Sequence, residues 1–207
     1  MKLSFNIAKR FLSYNKGQTL LIVLGIAIGI SVQIFIGLLI SGLQDSLIDS
    51  TIGSSAHITL SAEVRGENFE YNQTLLDSLK NTEEFTNVGI SISGPAFGVS
   101  KDKNQSILLR GLDDEVLRIN KLEEKIIEGT LDLEKGFVIG SGLAEQLEVS
   151  TGDILQVKTV RNEIYDVKII GVVDFKVAAL NDSWVITTPK QSQLILDLDN
   201  QISAIEI

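Results

Sequence analysis

The most prominent pattern in the sequence is a long apolar stretch near its start. Between Thr19 and Ile40 there are 22 consecutive positions without a charged side chain, and 15 of them are Leu, Ile, Val or Phe. In a helix that rises about 1.5 Å per residue, this stretch spans about 33 Å, which matches a hydrocarbon core of about 30 Å. A cleaved signal peptide has a shorter apolar region, so the pattern predicts a retained transmembrane helix over residues 18–42.

Residues 1–17 carry a different pattern. On a helix, the apolar side chains of this segment fall largely on one side and the basic ones elsewhere: Leu3, Phe5, Ile7, Ala8, Phe11 and Leu12 against Lys2, Lys9, Arg10 and Lys16. This predicts a short amphipathic helix along the inner membrane surface. A basic flank that only sets the membrane orientation is the alternative, and it requires the charges alone. After residue 42, Leu43, Leu47 and Ile48 continue a helical spacing.

Short strands and helices are intermixed after residue 57. Strands are predicted in "AHITL", in "TNVGISISGPAFGVS" with a break at Gly94-Pro95, and in "QSILLRGL", "FVIG", "ILQVKTV", "EIYDVKIIGVVDF", "SWVITT" and "ISAIEI". Helices are predicted over "TLLDSLKN", over "DEVLRINKL" with Asp113 as cap, over "GLAEQLE" with Ser141 as cap, and over "KQSQLILDL" after Pro189. Residues 125–136 are predicted as a turn-rich connection. Without a regular βαβ period, the pattern predicts an α+β domain over residues 57–207 with mixed, mainly antiparallel sheets.

Charge divides the chain into two parts. Four basic residues precede the apolar stretch, and the first acidic residue is Asp45, although the whole chain has a net charge of -9. Basic residues favour the cytoplasmic side, so the N-terminus is predicted to be cytoplasmic and the large domain to lie outside the cell membrane. The acidic exterior lacks the basic patches that bind phosphate backbones, which argues against nucleic acid as a partner.

Candidate chemistry is sparse. His57 is the only histidine and there is no cysteine, so histidine-based triads and thiolate sites are not expected. Gly140 and Gly142 form a G-x-G before a predicted helix, but Glu145 stands where a dinucleotide-binding site needs its third glycine. A P-loop is also missing from the sequence. We therefore predict no catalytic residues, no metal site and no cofactor, and we do not expect an enzyme.

The order of the segments is similar to a known family. The start "NIAKRFLSYNKGQTLLIVLGIAIGISV", the pair "ILLRGLDDEVLRI" and "IIEGTL", the run "FVIGSGLAEQLEVSTGDILQV" and the closing "DSWVITTPKQSQLIL" resemble the N-terminal half of an ABC transporter permease of the type VII class. This class includes lipoprotein-releasing, macrolide-exporting and FtsX-like permeases. The elements "AHITL" and "LLRGLDD" are most similar to the lipoprotein-releasing branch.

The resemblance implies an assembly. Permeases of this class have a cytoplasmic helix, a first membrane helix that extends outward as a stalk, an extracytoplasmic domain of the periplasmic core type, and three further membrane helices. Two permease subunits, identical or different, pair with two cytoplasmic ABC ATPases, and the stalk transmits motion to the outer domains. This chain is then expected to be part of a longer permease, and a lipoprotein or amphipathic substrate fits the favoured branch.

The resemblance also implies roles for particular residues. Residues 43–56 would form the stalk. The residues assigned to it are Ser41 and Gly42 at its start, followed by Leu43, Leu47 and Ile48. Gly25, Gly29 and Gln33 would form a helix-packing face in the cell (inner) membrane, because small residues allow close approach and glutamine can form a hydrogen bond across an interface. Lys9 and Arg10 would lie near the ATPase. A single-span, membrane-anchored sensor or binding module has the same topology and is the alternative.

Overall fold

Two helices make up the first of two compact units, which are residues 1–48 and 49–207. The computed structural model describes residues 2–51, 56–64 and 66–207, without the side chains of residues 2–4, 8 and 45–51. Helix α1 runs from Lys2 to Tyr14 and helix α2 from Lys16 to Thr51. Asn15 separates them: its carbonyl accepts from the Thr19 N–H at 3.0 Å, and the Thr19 hydroxyl donates to the Leu12 carbonyl at 2.8 Å.

The second unit contains eleven strands and six helices among the described residues. The strands are β1 Thr59–Ser61, β2 Phe69–Glu70, β3 Gly89–Ser100, β4 Lys103–Leu112, β5 Ile126–Gly129, β6 Phe137–Gly140, β7 Ile154–Thr159, β8 Ile164–Val173, β9 Trp184–Thr187, β10 Gln201–Ile202 and β11 Ala204–Glu206. The helices are α3 Gln73–Lys80, α4 Asp114–Ile119, α5 Leu122–Lys125, α6 Ser141–Leu147, α7 Ala178–Asn181 and α8 Pro189–Leu196. This mixture confirms the predicted α+β class.

Six of the strands close into a barrel. The pairings run β3, β4, β9, β6, β8 and β7, and β7 pairs with β3 again. The β4–β9 and β6–β8 pairs are parallel, and the other four pairs are antiparallel. Because side chains alternate along a strand, every second residue points into the barrel.

The barrel interior is the largest apolar core. Each of the six strands contributes buried side chains to it, among them Ala96, Leu109, Ile139, Leu155, Ile169 and Val185. Helices α6 and α8 add Leu143, Leu147 and Ile195 to the same cluster. Aliphatic side chains of this kind fill the interior of small barrels.

Two further cores lie outside the barrel. One contains residues of α4, α5, β6 and β9 together with Phe175, and the other joins α3, β10 and β11 to the first half of β3. Strand β11 pairs with β3 and β1 pairs with β11, so the sheet extends beyond the barrel on this side. Strands β2 and β10 form a separate two-stranded sheet.

The predicted break at Gly94-Pro95 is wrong, because β3 is continuous through both residues. The Ser93 N–H donates to Ser203 Oγ at 2.8 Å, on the β11 side, and Pro95 faces the same side two residues later. On that side β11 pairs with residues 89–91 and β7 with residues 96–99. Pro95 lies in the gap between them, where no neighbouring strand requires the N–H that proline lacks.

Of the two predicted helix caps, Asp113 is confirmed and Ser141 is wrong. Asp113 caps α4, since its Oδ1 accepts from the Val116 N–H at 2.9 Å. The predicted helix ends early, however, because Lys121 adopts a φ of 47° and α5 starts anew after it. Ser141 is not a cap: it is the first residue of α6, and Gly140 occupies the N-cap position without a side-chain bond.

Three other connections differ from the prediction. Strand β5 forms inside the predicted turn-rich region because residues 126–129 pair with β8. The short helix α7 was not predicted. The final segment "ISAIEI" is not one strand, since it divides at Ser203 into β10 and β11, which pair in different sheets.

Candidate functional site

The predicted helix-packing residues lie on one row along α2. Gly25, Gly29 and Gln33 are each four residues apart, so each is rotated about 40° from the one before it. A Cβ atom added to either glycine would meet nothing within 4 Å, and Gln33 is exposed. The row is therefore free of contacts within the part of the chain that the structure describes.

The row of small and polar residues on α2 extends beyond the three residues predicted from the sequence. Gly37 and Ser41 follow Gln33 at the same spacing of four, and a Cβ atom on Gly37 would also meet nothing within 4 Å. Five small or polar residues thus follow one i+4 ridge. Rows of this inclination pack helices at right-handed crossing angles, of about -40° in membranes. The regular spacing could have revealed Gly37 from the sequence.

Between Thr19 and Ile40, the remaining residues of α2 are large and apolar except Thr19, Ala27 and Ser31. Its residues 16–44 form the one segment among the described helices that is long and apolar enough to cross a membrane. Leu21 is 72% exposed and Leu38 is 69% exposed. An exposed apolar surface of this length fits a membrane-spanning helix.

The sides of α1 are chemically distinct. Taken at 100° per residue, Phe5, Ile7, Phe11, Leu12 and Tyr14 occupy about half of the circumference, and all five are well exposed. Asn6, Lys9, Arg10 and Ser13 occupy the remaining arc and are also exposed. Lys9 and Arg10 therefore point away from the apolar side, as an in-plane membrane helix requires.

The predicted stalk residues are only partly described. Ser41, Gly42 and Leu43 are exposed residues of α2. Leu47 and Ile48 belong to the same continuous helix, but their side chains lie outside the described part of the structure, as do residues 52–55. Ser41 belongs both to the stalk and to the extended row, but the described residues of the two sets are spread along α2 and form no compact site.

The predicted G-x-G motif has a packing role. A Cβ atom on Gly140 would collide with the Asn181 backbone, and one on Gly142 would collide with the Asp182 carboxylate, so these glycines let the end of α7 approach α6. The Asp182 carboxylate occupies the space beside the α6 N-terminus, where it would repel a phosphate. Among the described residues, no group of three or more His, Asp or Glu side chains is arranged to hold a metal.

His57 and Ile58, at the start of the sheet-rich domain, lie beside Ile207 at its end. The His57 and Ile58 N–H groups donate to the Ile207 carbonyl at 2.9 Å and 3.1 Å, and the Ile207 N–H donates to the Ile58 carbonyl at 2.9 Å. Thr59 to Ser61 then pair with Glu206 to Ala204. The only histidine thus contributes a backbone hydrogen bond at the point where the chain enters the domain.

Comparison with known proteins assigns the chain to a family. The family model of the MacB-like periplasmic core domain matches residues 19–206. The chain belongs to the MacB-like periplasmic core domain family. This is a family of transporter permease domains, which are generally not enzymes.

Solved structures share the MacB-like core fold. The extracellular domain of the noncanonic ABC-type transporter YknZ from Gram-positive bacteria is 18% identical, with a TM-score of 0.52 over 71% of this chain and 79% of that one. The periplasmic region of MacB from Actinobacillus actinomycetemcomitans is 15% identical, with a TM-score of 0.53 over 75% and 76%. No curated protein matches the chain. Family and fold together support an ABC transporter permease extracellular domain, whereas the lipoprotein-releasing branch stays a prediction.

Proposed function

We propose that this chain is the N-terminal portion of a permease subunit that couples ATP hydrolysis by a cytoplasmic ABC ATPase to movement of its extracytoplasmic MacB-like core domain. The family match over residues 19–206 carries the proposal, because it includes the apolar helix as well as the sheet-rich domain. A lipoprotein or other amphipathic molecule is the proposed cargo, following the resemblance to the lipoprotein-releasing branch.

The charge distribution supports the proposed orientation. Lys9 and Arg10 are exposed on the polar side of α1, ahead of the apolar helix, and the acidic residues begin only at Asp45. In a cell membrane this asymmetry favours a cytoplasmic N-terminus. With the apolar side of α1 in the membrane surface, Lys9 and Arg10 would face the cytoplasm, where the ATPase binds.

The paired ends of the domain support a multi-helix permease. A polypeptide continuing from Ile207 would begin beside His57 and Ile58, which follow α2 closely in sequence. The resemblance to permeases of this class implies further membrane helices after such a domain. Such a helix, or one from a second permease subunit, is the proposed partner of the row from Gly25 to Ser41.

Affinity capture from the native membrane tests the proposal. The tagged protein should recover an ABC ATPase and a second permease subunit. Gly25→Leu with Gly29→Leu should reduce recovery of the permease partner several-fold, because two large side chains would separate the packed helices. Ala27→Leu with Ser31→Leu is the matched control, since these residues have the same spacing on the opposite side of α2.

The outcomes separate the candidate functions. Capture without any ATPase would refute the permease and favour a single-span sensor or binding module. Equal loss of the partner in both double variants would refute the proposed packing row, because a specific row predicts loss on one side only.

A further inference from the structure

Five side chains form a continuous stack on the outer surface of the barrel. We call it the Arg110 ladder, and its members are Lys125, Phe175, Trp184, Arg110 and Glu206. The Lys125 ammonium lies 5.6 Å from the centre of the Phe175 ring, and the Phe175 and Trp184 rings meet edge to face at 4.9 Å. The Arg110 guanidinium lies 4.2 Å from the centre of the Trp184 ring and forms an ion pair with Glu206 at 2.7 Å.

The ion pair in the ladder crosses an intervening strand. Arg110 is on β4 and Glu206 is on β11, and β3 lies between these two strands. The guanidinium passes over β3, where Arg110 Nε donates to Ser93 Oγ at 3.3 Å. Arg110 therefore connects β11, which lies outside the barrel, to β4, which is one of the barrel strands. The connection is made by side chains and not by backbone hydrogen bonds.

The backbone attachment at this place is short. Strand β11 pairs with β3 through three residue pairs, and β1 pairs with β11 through three more. Within the described chain, β11 is the only strand that β1 pairs with. Both ends of the domain thus join the sheet through few backbone pairs, and the apolar core that contains Ile205 and Ile92 adds side-chain contacts to this attachment. The ion pair at Glu206 adds a polar tie to it.

Burial strengthens the tie. The Arg110 and Glu206 side chains are 11% and 8% exposed. Burial lowers the pKa of Arg110, and the neighbouring Glu206 carboxylate opposes that shift. A guanidinium held between a carboxylate and an indole face has little freedom, and removal of one charge leaves the other buried without its partner.

We infer that Arg110 is a positioning residue that locks β1 and β11, the strands at the two ends of the domain, to the barrel as one rigid body. The consequence for transport rests on the proposed function. If α2 moves during transport, the Arg110–Glu206 ion pair would transmit that movement to the barrel. The lock itself is a property of the domain and does not depend on that function.

Amide hydrogen exchange on the whole chain in detergent micelles tests the lock. In Arg110→Met and in Glu206→Gln, exchange in Thr59–Ser61 and Ala204–Glu206 should accelerate by at least about tenfold, while the barrel amides of β6 and β7 stay unchanged. Arg118→Met is the matched control, because Arg118 pairs with Glu115 at 2.8 Å but its side chain is 67% exposed. This control should alter neither region.

Two results would overturn the inference. One is unchanged exchange in β1 and β11, and the other is an equal rise in the barrel, which would mean a general loss of stability. Glu206→Gln keeps the side-chain shape, so its result decides the question if Arg110→Met does not fold. Affinity capture of an ATPase is a separate measurement, so failure of the lock and failure of the proposed function are distinguishable.

Discussion

Asp174 shows how a single side chain can stabilise a loop next to the barrel. Its carboxylate accepts from the Lys176 N–H at 2.9 Å and from Asn181 Nδ2 at 2.8 Å, and the Lys176 ammonium also binds it. The Lys176 and Asn181 hydrogen bonds lower the pKa of Asp174 to about 2. The ionised form is therefore favoured by folding. Its stabilising contribution is complete above the ordinary Asp pKa, and it is lost as the pH falls through about 2.

Replacement of this carboxylate should have a pH-dependent effect. We expect Asp174→Asn to lower the free energy of unfolding by about 1 kcal/mol at pH 7, because solvent screens part of the charge interaction, and the deficit should shrink between pH 4 and pH 2. Urea unfolding in micelles, followed by the fluorescence of Trp184, the only tryptophan, measures this. Asp132→Asn is the control, since Asp132 pairs with Lys135 in an exposed position. A deficit that is the same at both pH values would contradict the assignment.

At the scale of elements, the helix N-termini depend on different residues. Asp113 accepts from the Val116 N–H and also from the Ile90 N–H, both at 2.9 Å, and so connects α4 to β3. Ser141, by contrast, makes no capping bond to α6. A hydroxyl or carboxylate stabilises a helix only where it reaches a free backbone donor.

The two residues should therefore respond differently to truncation. We expect Asp113→Ala to lower the free energy of unfolding by about 1 to 2 kcal/mol, and Ser141→Ala to change it by less than about 0.5 kcal/mol. Equilibrium urea unfolding of the two variants is the measurement. A loss of similar size in Ser141→Ala would show that the hydroxyl caps α6 in solution.

Local signals explain which elements could be predicted from the sequence. The cap at Asp113 and the helix opened by Pro189 depend on neighbouring residues, and both are where they were predicted. Strand β5, the continuity at Pro95 and the closure of the barrel by β7 depend on partners far away in the chain. Functional residues are limited in the same way, because a local spacing can be read from the sequence and a long-range contact cannot. The spacing of Gly25, Gly29 and Gln33 is visible in the sequence, whereas the contact between Arg110 and Glu206 requires the strand order.

At the scale of the whole molecule, the proposed topology places α1 and the barrel on opposite sides of the membrane. These 207 residues contain no cysteine, so a single introduced thiol is the only labelling site among them. In intact cells, an impermeant maleimide should label Ser106→Cys on β4 and should label Ser13→Cys on α1 only after lysis. Both original side chains are exposed, so access is not limited by the fold. Labelling of Ser13→Cys in intact cells would refute the cytoplasmic N-terminus.

The pairing of β1 with β11 also determines when the domain can be finished during synthesis. Thr59 emerges early, but its partner Glu206 follows about 150 residues later. At roughly 5 to 20 residues per second, β1 waits on the order of ten to thirty seconds for the strand that covers it. Once β3 has been made, the edge that β11 will occupy is also unpaired for the rest of that interval. A newly made chain is therefore most exposed to aggregation and proteolysis just before its last strand arrives, and a variant that weakens this closing step would be lost by degradation before transport could be measured.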